Sequence, residues 1–327
     1  MTMSRTARLV ATLTVLVLIG AGAAAVLVWW ANGRLPTPLA REQCIATVGD
    51  RTVRLEPEQA LHAATIAAVA EQRGLPARAI TIALATAYQE SNLYNIDYGD
   101  RDSLGLFQQR PSQGWGTPDQ VQDPVYAAGA FYDELTKIAD YRDLKITDAA
   151  QRVQRSAFPD AYGQHEPNAR VLASALSGNS PAALSCTVRP GSYDAEQPGE
   201  VGLTARAERV LDEIRTTFGD LPVGGFSSDG IDSGHIAGSA HYDGRAVDIF
   251  FRPYNDPASV RAGWVVAHWL VINADRLGIG TVIYDDRIWT ARRSAAGWRD
   301  YVHPSGNTTD PTLRHLDHVH VDVFHGS

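Results

Sequence analysis

Two stretches of this 327-residue chain carry side chains that hold metals and move protons. One is Ser239-Ala-His-Tyr-Asp-Gly-Arg-Ala-Val-Asp248, and the other is His315-Leu-Asp-His-Val-His320. Two histidine nitrogens and one carboxylate oxygen form a donor set that suits zinc and leaves a fourth position for water. His241 lies in a turn-rich approach, and Gly244 lets the backbone swing round before residues 246–251, which read as a strand. Residues 319–324 alternate strictly. That period places His318, His320 and Asp322 on one face, and Val319, Val321 and Val323 on the other. An aspartate buried on an apolar strand is costly unless it is paired or bound to a metal. Two histidines from a neighbouring strand give Asp248 that partner. Taken singly, each residue reads better as a core histidine or a capping aspartate; the set at this spacing reads as a metal site.

The two stretches together resemble the zinc D-alanyl-D-alanine peptidases and related cell-wall endopeptidases. Those enzymes carry S-x-H-x-x-G-x-A-x-D, then a late strand histidine with an acidic residue three positions before it. The matching residues are Ser239, His241, Gly244, Ala246 and Asp248, then Asp317 and His320. The resemblance implies a small α+β domain, zinc held by His241, Asp248 and His320, and Ser239 beside the substrate. It also implies a catalytic base at Asp317, where the dipeptidase members usually have Glu. His318 is the rival, as in relatives with a His-x-His pair. Strand parity favours His318, because Asp317 points away unless the strand starts with a bulge. His235, His303 and His315 lack such company and read as loop or supporting histidines.

The first half reads differently. Apolar spacing predicts successive helices, with Pro57 and Pro76 at helix starts, Gly74 as a stop, and Asp123-Pro124 and Thr147-Asp148 as caps. Little strand pattern shows, so the expectation is an all-α domain. Within it lie Glu90-Ser91-Asn92-Leu93, Ser103-Leu-Gly-Leu-Phe-Gln-Gln109 and Ala161-Tyr162. In this order they resemble soluble lytic transglycosylases and goose-type lysozymes, over roughly residues 55–176. The resemblance implies a lysozyme-like fold with Glu90 as general acid. Cleaving a glycosidic bond needs a protonated carboxyl at the leaving oxygen, and an apolar helix face raises a glutamate pKa. Hydrolysis usually takes a second carboxylate. Asp97, Asp100 and Asp102 are nearby, but no motif singles one out. Transglycosylases need none, which tips the reading toward them. Gln108, Tyr94, Tyr162, Phe107 and Trp115 are the candidates to hold sugar; for Phe107 and Trp115 core packing is an equal reading.

Composition bounds the rest. Hydrophobic residues are 44% and charged residues 20%, as in a globular protein. A net charge of -8 argues against a nucleic-acid-binding surface. Residues 9–30 form an almost uncharged apolar run preceded by Arg5 and Arg8. Its length matches the roughly 20 residues of a transmembrane helix. The positive-inside rule then puts the N-terminus in the cytoplasm and the domains outside. A signal peptide cleaved near Ala23–Ala25 is the alternative. One span cannot form a transport path. Cys44 and Cys186 are the only cysteines and, outside a membrane, read as a disulfide; two buried thiols are the alternative.

The expected architecture is multidomain. It has a cytoplasmic tip and transmembrane anchor over 1–34 and a lysozyme-like domain over 44–186. A Ser/Gly/Pro-rich linker over 187–202 and a zinc peptidase-like domain over 203–327 follow. Together these describe a membrane-anchored enzyme that cuts both the glycan and the stem peptides of peptidoglycan. The rival is a cell-wall-binding or scaffold protein in which one or both domains have lost their chemistry.

Overall fold

The computed structural model describes residues 41–306 and 309–326. The chain opens with a hairpin, β1 (Gln43–Val48) and β2 (Arg51–Leu55), turned by Gly49 and Asp50. The helices α1 (Pro57–Gln72), α2 (Ala77–Ser91), α3 (Pro118–Gln122), α4 (Pro124–Thr136), α5 (Ile146–Gln154) and α6 (Glu166–Leu176) follow. β3 (Leu184–Thr187) then returns to pair with β1, giving an antiparallel sheet of order β2-β1-β3. The first half is therefore not all-α, as the helical spacing led us to expect. Cys44 and Cys186 face each other across β1 and β3 and form the disulfide.

The second half contains α7 (Ala205–Phe218), β4 (Val223–Gly224), β5 (Ala246–Phe250), α8 (Pro257–Ile272), α9 (Ala274–Leu277), β6 (Ile279–Tyr284), β7 (Arg287–Thr290), β8 (Arg299–Asp300) and β9 (His318–Val323). Its six strands form one antiparallel sheet of order β4-β5-β9-β6-β7-β8. The alternation in β9 has the expected result. Val319, Val321 and Val323 are buried, and β9 packs on α7 and α8 through its apolar face.

Residues 263–272 of α8 are buried throughout, because α8 also packs against α1, α6 and β3. A helix apolar all round must be covered all round. The ring of His268, fully buried on α8, donates from Nδ1 to the Ala175 carbonyl (3.0 Å) and accepts at Nε2 from the Leu184 N–H (3.4 Å). The indoles of Trp298 and Trp289 donate to the carbonyls of Leu184 and Cys186. β3 is thus bonded to the first half along one edge and to the second through side chains, and one hydrophobic core runs through both.

Among the described residues no helix is long and apolar enough to cross a membrane. This corrects the expected fold class: the described chain is a mixed helix-and-sheet protein, not a membrane helix followed by an all-α domain. The apolar run 9–30, on which the anchor and the cellular placement were based, lies outside the described residues. The single-pass placement has no footing in the structure.

Candidate functional site

The register of β5 against β9 sets Asp248 opposite His320, so both side chains emerge side by side. His241 reaches the same point from a short 3-10 turn, Ala240–Asp243. Ser239 caps that turn by accepting the His241 N–H (3.4 Å). Gly244 ends it with φ +63°, and a Cβ there would meet the Gly202 carbonyl oxygen at 2.4 Å. A second glycine fits the imidazole itself. A Cβ on Gly225 would lie 2.4 Å from Cε1 of His241, while the Gly225 carbonyl accepts from His241 Nδ1 at 2.6 Å. That bond leaves the lone pair on Nε2, pointing into the site.

Three donor atoms converge. His241 Nε2 is 3.1 Å from His320 Nδ1 and 3.3 Å from Asp248 Oδ1, and the latter two are 3.1 Å apart. Four ligands at the usual zinc distances lie about 3.3–3.4 Å from one another in a tetrahedron. The triangle is close to one face of that tetrahedron, so the residues present fit the ion. Among the described residues this is the group that could hold a metal, and all three members are buried. Burial opposes charge on His320, but Asp248 and Asp322 outweigh it and push its pKa up to about 9. Burial also opposes charge on Asp248, yet His241 and His320 hold its carboxyl well below the carboxylate range.

Asp317 and His318 form a second tier. Asp317 Oδ1 accepts from His318 Nδ1 at 2.8 Å, while its Oδ2 accepts from Arg252 Nε (3.0 Å) and Nη2 (2.8 Å). Burial would raise the Asp317 pKa, but His318 and Arg252 bring it down to about 2. His318 Nε2 faces the cluster, 3.8 Å from Asp248 Oδ1. Asp317 stands just before β9 rather than in it, so strand parity does not govern it.

His241, Asp248, His318, His320 and Arg252 line a cavity of about 1000 Å³, together with Ser239, His235 and His315. The ring of His235 stacks on that of His241, with centroids 4.0 Å apart, and His315 tilts against His318 at 4.6 Å. Burial lowers both pKa values, that of His315 to about 2. The sequence reading had these two as loop or supporting residues; only the fold shows that they wall the cavity. His303 also lines it.

Glu90 occupies the last turn of α2. Its Oε1 accepts from the Tyr162 hydroxyl (2.7 Å) and from Gln154 Nε2 (3.1 Å). Burial raises its pKa, and these two bonds oppose the rise. Ser91 Oγ donates to the Leu106 carbonyl (2.8 Å), and Gln154 Nε2 donates to that of Phe107 (2.7 Å). The three separated motifs therefore meet around one carboxyl. Tyr94 and Asp97 line the cavity beside Glu90; Gln108 does not, and instead donates to the Tyr98 carbonyl (3.2 Å). Phe107 is fully buried and stacks on Phe131, Tyr162 is fully buried, and Trp115 packs against the core. Asp102 is bound to Arg110 and to the Ser112 N–H.

Residues 199–312 match the family model described as VldE, C-terminal domain. The match lies wholly in the second half. It takes in His241 and Asp248 and stops short of Asp317, His318 and His320. No curated protein matches the chain.

Proposed function

We propose that this chain is a peptidoglycan hydrolase whose second half is a zinc-dependent peptidase acting on stem peptides. The donor triangle of His241, Asp248 and His320 carries the reading, and the match over 199–312 is in line with it. A bound zinc supplies Lewis acidity, lowering the pKa of water and polarising the scissile carbonyl. His318 is the base. Its Nδ1–H is held by Asp317, so Nε2 is free to take a proton from the attacking water and deliver it to the leaving amine. Asp317 orients that ring, and Arg252 keeps Asp317 ionised. The alternative, Asp317 itself as base, needs a carboxylate already engaged on both oxygens. The test is metal analysis of the purified chain alongside mass spectrometry of peptides released from peptidoglycan. About one zinc per chain and zinc-dependent peptide release are expected. A chain that takes up no divalent metal would end this reading.

A second activity, glycan cleavage by Glu90, is favoured by the half-buried carboxyl gripped by Tyr162 and Gln154. A carboxyl with its pKa raised by burial is suited to protonate a leaving oxygen. Released anhydro-muramyl ends would mark a transglycosylase, and reducing ends a lysozyme.

A further inference from the structure

One turn of the first half is fixed against the second. Gly178, with φ +69°, comes so close to α8 that a Cβ would meet the Arg261 carbonyl oxygen at 2.1 Å. The chain then turns over residues 180–183. The Ala183 N–H donates to the Ser180 carbonyl (3.3 Å), the Ser180 N–H donates to the Ser174 carbonyl (3.1 Å), and the hydroxyls of Ser174 and Ser180 are bonded at 2.8 Å. Pro181 sets the first corner. Ala182 takes φ +53° at the second, where a type II turn usually has glycine. Leu184, just beyond the turn, is held by His268 and Trp298 of the second half. The turn is thus pinned on both sides, and Pro181 at its tip is exposed.

Pro181 and Ala182 form one wall of a cavity of about 480 Å³, and the second half supplies the others, among them Arg287, Arg314, Asp300 and Tyr301. Asp300 and Tyr301 line this cavity and also the larger one that holds His241, Asp248 and His320. The Tyr301 ring stands edge-on to that of His315 with centroids 4.9 Å apart, and His315 stands edge-on to His320 at 5.7 Å. Two such steps cover about three residues of extended chain. In the smaller cavity Arg287 is paired with Asp300 and Arg314 with Asp286, so neither arginine is left to draw a free anion. What the cavity offers is a polar surface with a rigid turn above it, beside the metal-binding cluster and made by both halves.

We propose that the turn at Pro181 and Ala182 is the far wall of the peptide groove, so that the first half completes the site of the second for peptides running three or more residues past the cluster. This rests on the peptidase reading of the second half. Mass spectrometry of peptides released by the zinc-loaded full chain gives the bond cut. Two synthetic peptides are then built around that bond, one with two residues on each side and one with five. The chain should prefer the long peptide, through a lower KM. Pro181→Trp, which fills the cavity from an exposed position, should reduce that preference about tenfold, acting on KM rather than kcat. Pro181→Arg should act in the same direction, and unfolding midpoints show that either variant folds. Calorimetry of the long peptide with the His318→Ala chain, with and without Pro181→Trp, should show the same tenfold loss of affinity. If the two peptides are cut equally well, or Pro181→Trp and Pro181→Arg leave the preference as it was, the first half forms no wall of the groove and the peptidase reading survives. If the zinc-loaded chain releases no peptides, the peptidase reading falls and takes the wall with it.

Discussion

The two sites hold their key groups by different means. In the second half, Asp248 and His320 are placed by the hydrogen-bonded register of two adjacent strands, and His241 by a glycine-ended turn. In the first half, Glu90 stands at a helix end, and side chains from a separate segment close over it. A one-residue slip in a strand pair would turn every side chain to the other face, so register is strongly specified where one face is buried. A carboxyl held by side-chain bonds is placed less firmly. Its proton affinity depends on a loop that the core does not cover.

The sharpest way to break the comparison is to remove one corner of the triangle. His241→Ala should abolish zinc binding and reduce peptide release to background while glycan cleavage continues. Metal analysis and separate assays of the two products check this. Glu90→Gln should do the converse, lowering glycan cleavage by about 10²–10⁴-fold with zinc content and peptide release intact. Loss of both activities from either substitution would show that the sites do not act separately.

Smaller effects should separate base from orienting group. Asp317→Asn should keep zinc and lose about 10–100-fold in peptide cleavage, as for a group acting through its neighbour. His318→Ala should keep zinc and lose more. Equal losses with both substitutions would return the proton transfer to Asp317. Breaking the disulfide with Cys44→Ser should cost about 2–5 kcal/mol in denaturant unfolding, since the bond closes a loop of 142 residues.

The smallest effect is one of pH on the shared core. Burial depresses the His268 pKa to about 4 from the usual 6.5. The unfolded chain therefore binds this proton first. His268 contributes its full stability above pH 6.5 and loses it as pH falls toward 4, by about 3 kcal/mol in all. Unfolding midpoints between pH 7 and 4, compared for the chain and for His268→Gln, would show it. Identical slopes would remove His268 as the cause.

Much of the His-Asp-His cluster was legible because its members obey fixed spacings. His241 and Asp248 flank a glycine turn, and His320 follows strand parity. His235 and His315 were not legible as cavity walls, because stacking between rings from separate loops leaves no periodic trace. The β2-β1-β3 sheet escaped notice because its strands have only four to six residues. The Gly49-Asp50 pair between Val48 and Arg51 is the turn signal that would have revealed the hairpin. Around Glu90 the motif pieces were readable, but burial was not. Phe107 and Trp115 read equally well as sugar contacts or as core; the structure buries Phe107 and packs Trp115 against the core, while Phe158, in no motif, is exposed.

One detail of the Glu90 grip bears on where its proton resides. Both donors, the Tyr162 hydroxyl and the Gln154 amide, are aimed at Oε1. An oxygen accepting two hydrogen bonds is a poor place for a hydrogen of its own. On the proposed reading of Glu90 as the acid, its proton is therefore directed to Oε2, the oxygen left unclaimed by either donor. When that proton departs, the negative charge finds two donors already in position on Oε1 and needs no solvent to rearrange around it. The same pair of bonds that restrains the acidity shift thus gives the carboxyl a handedness, with one oxygen to give and one to hold.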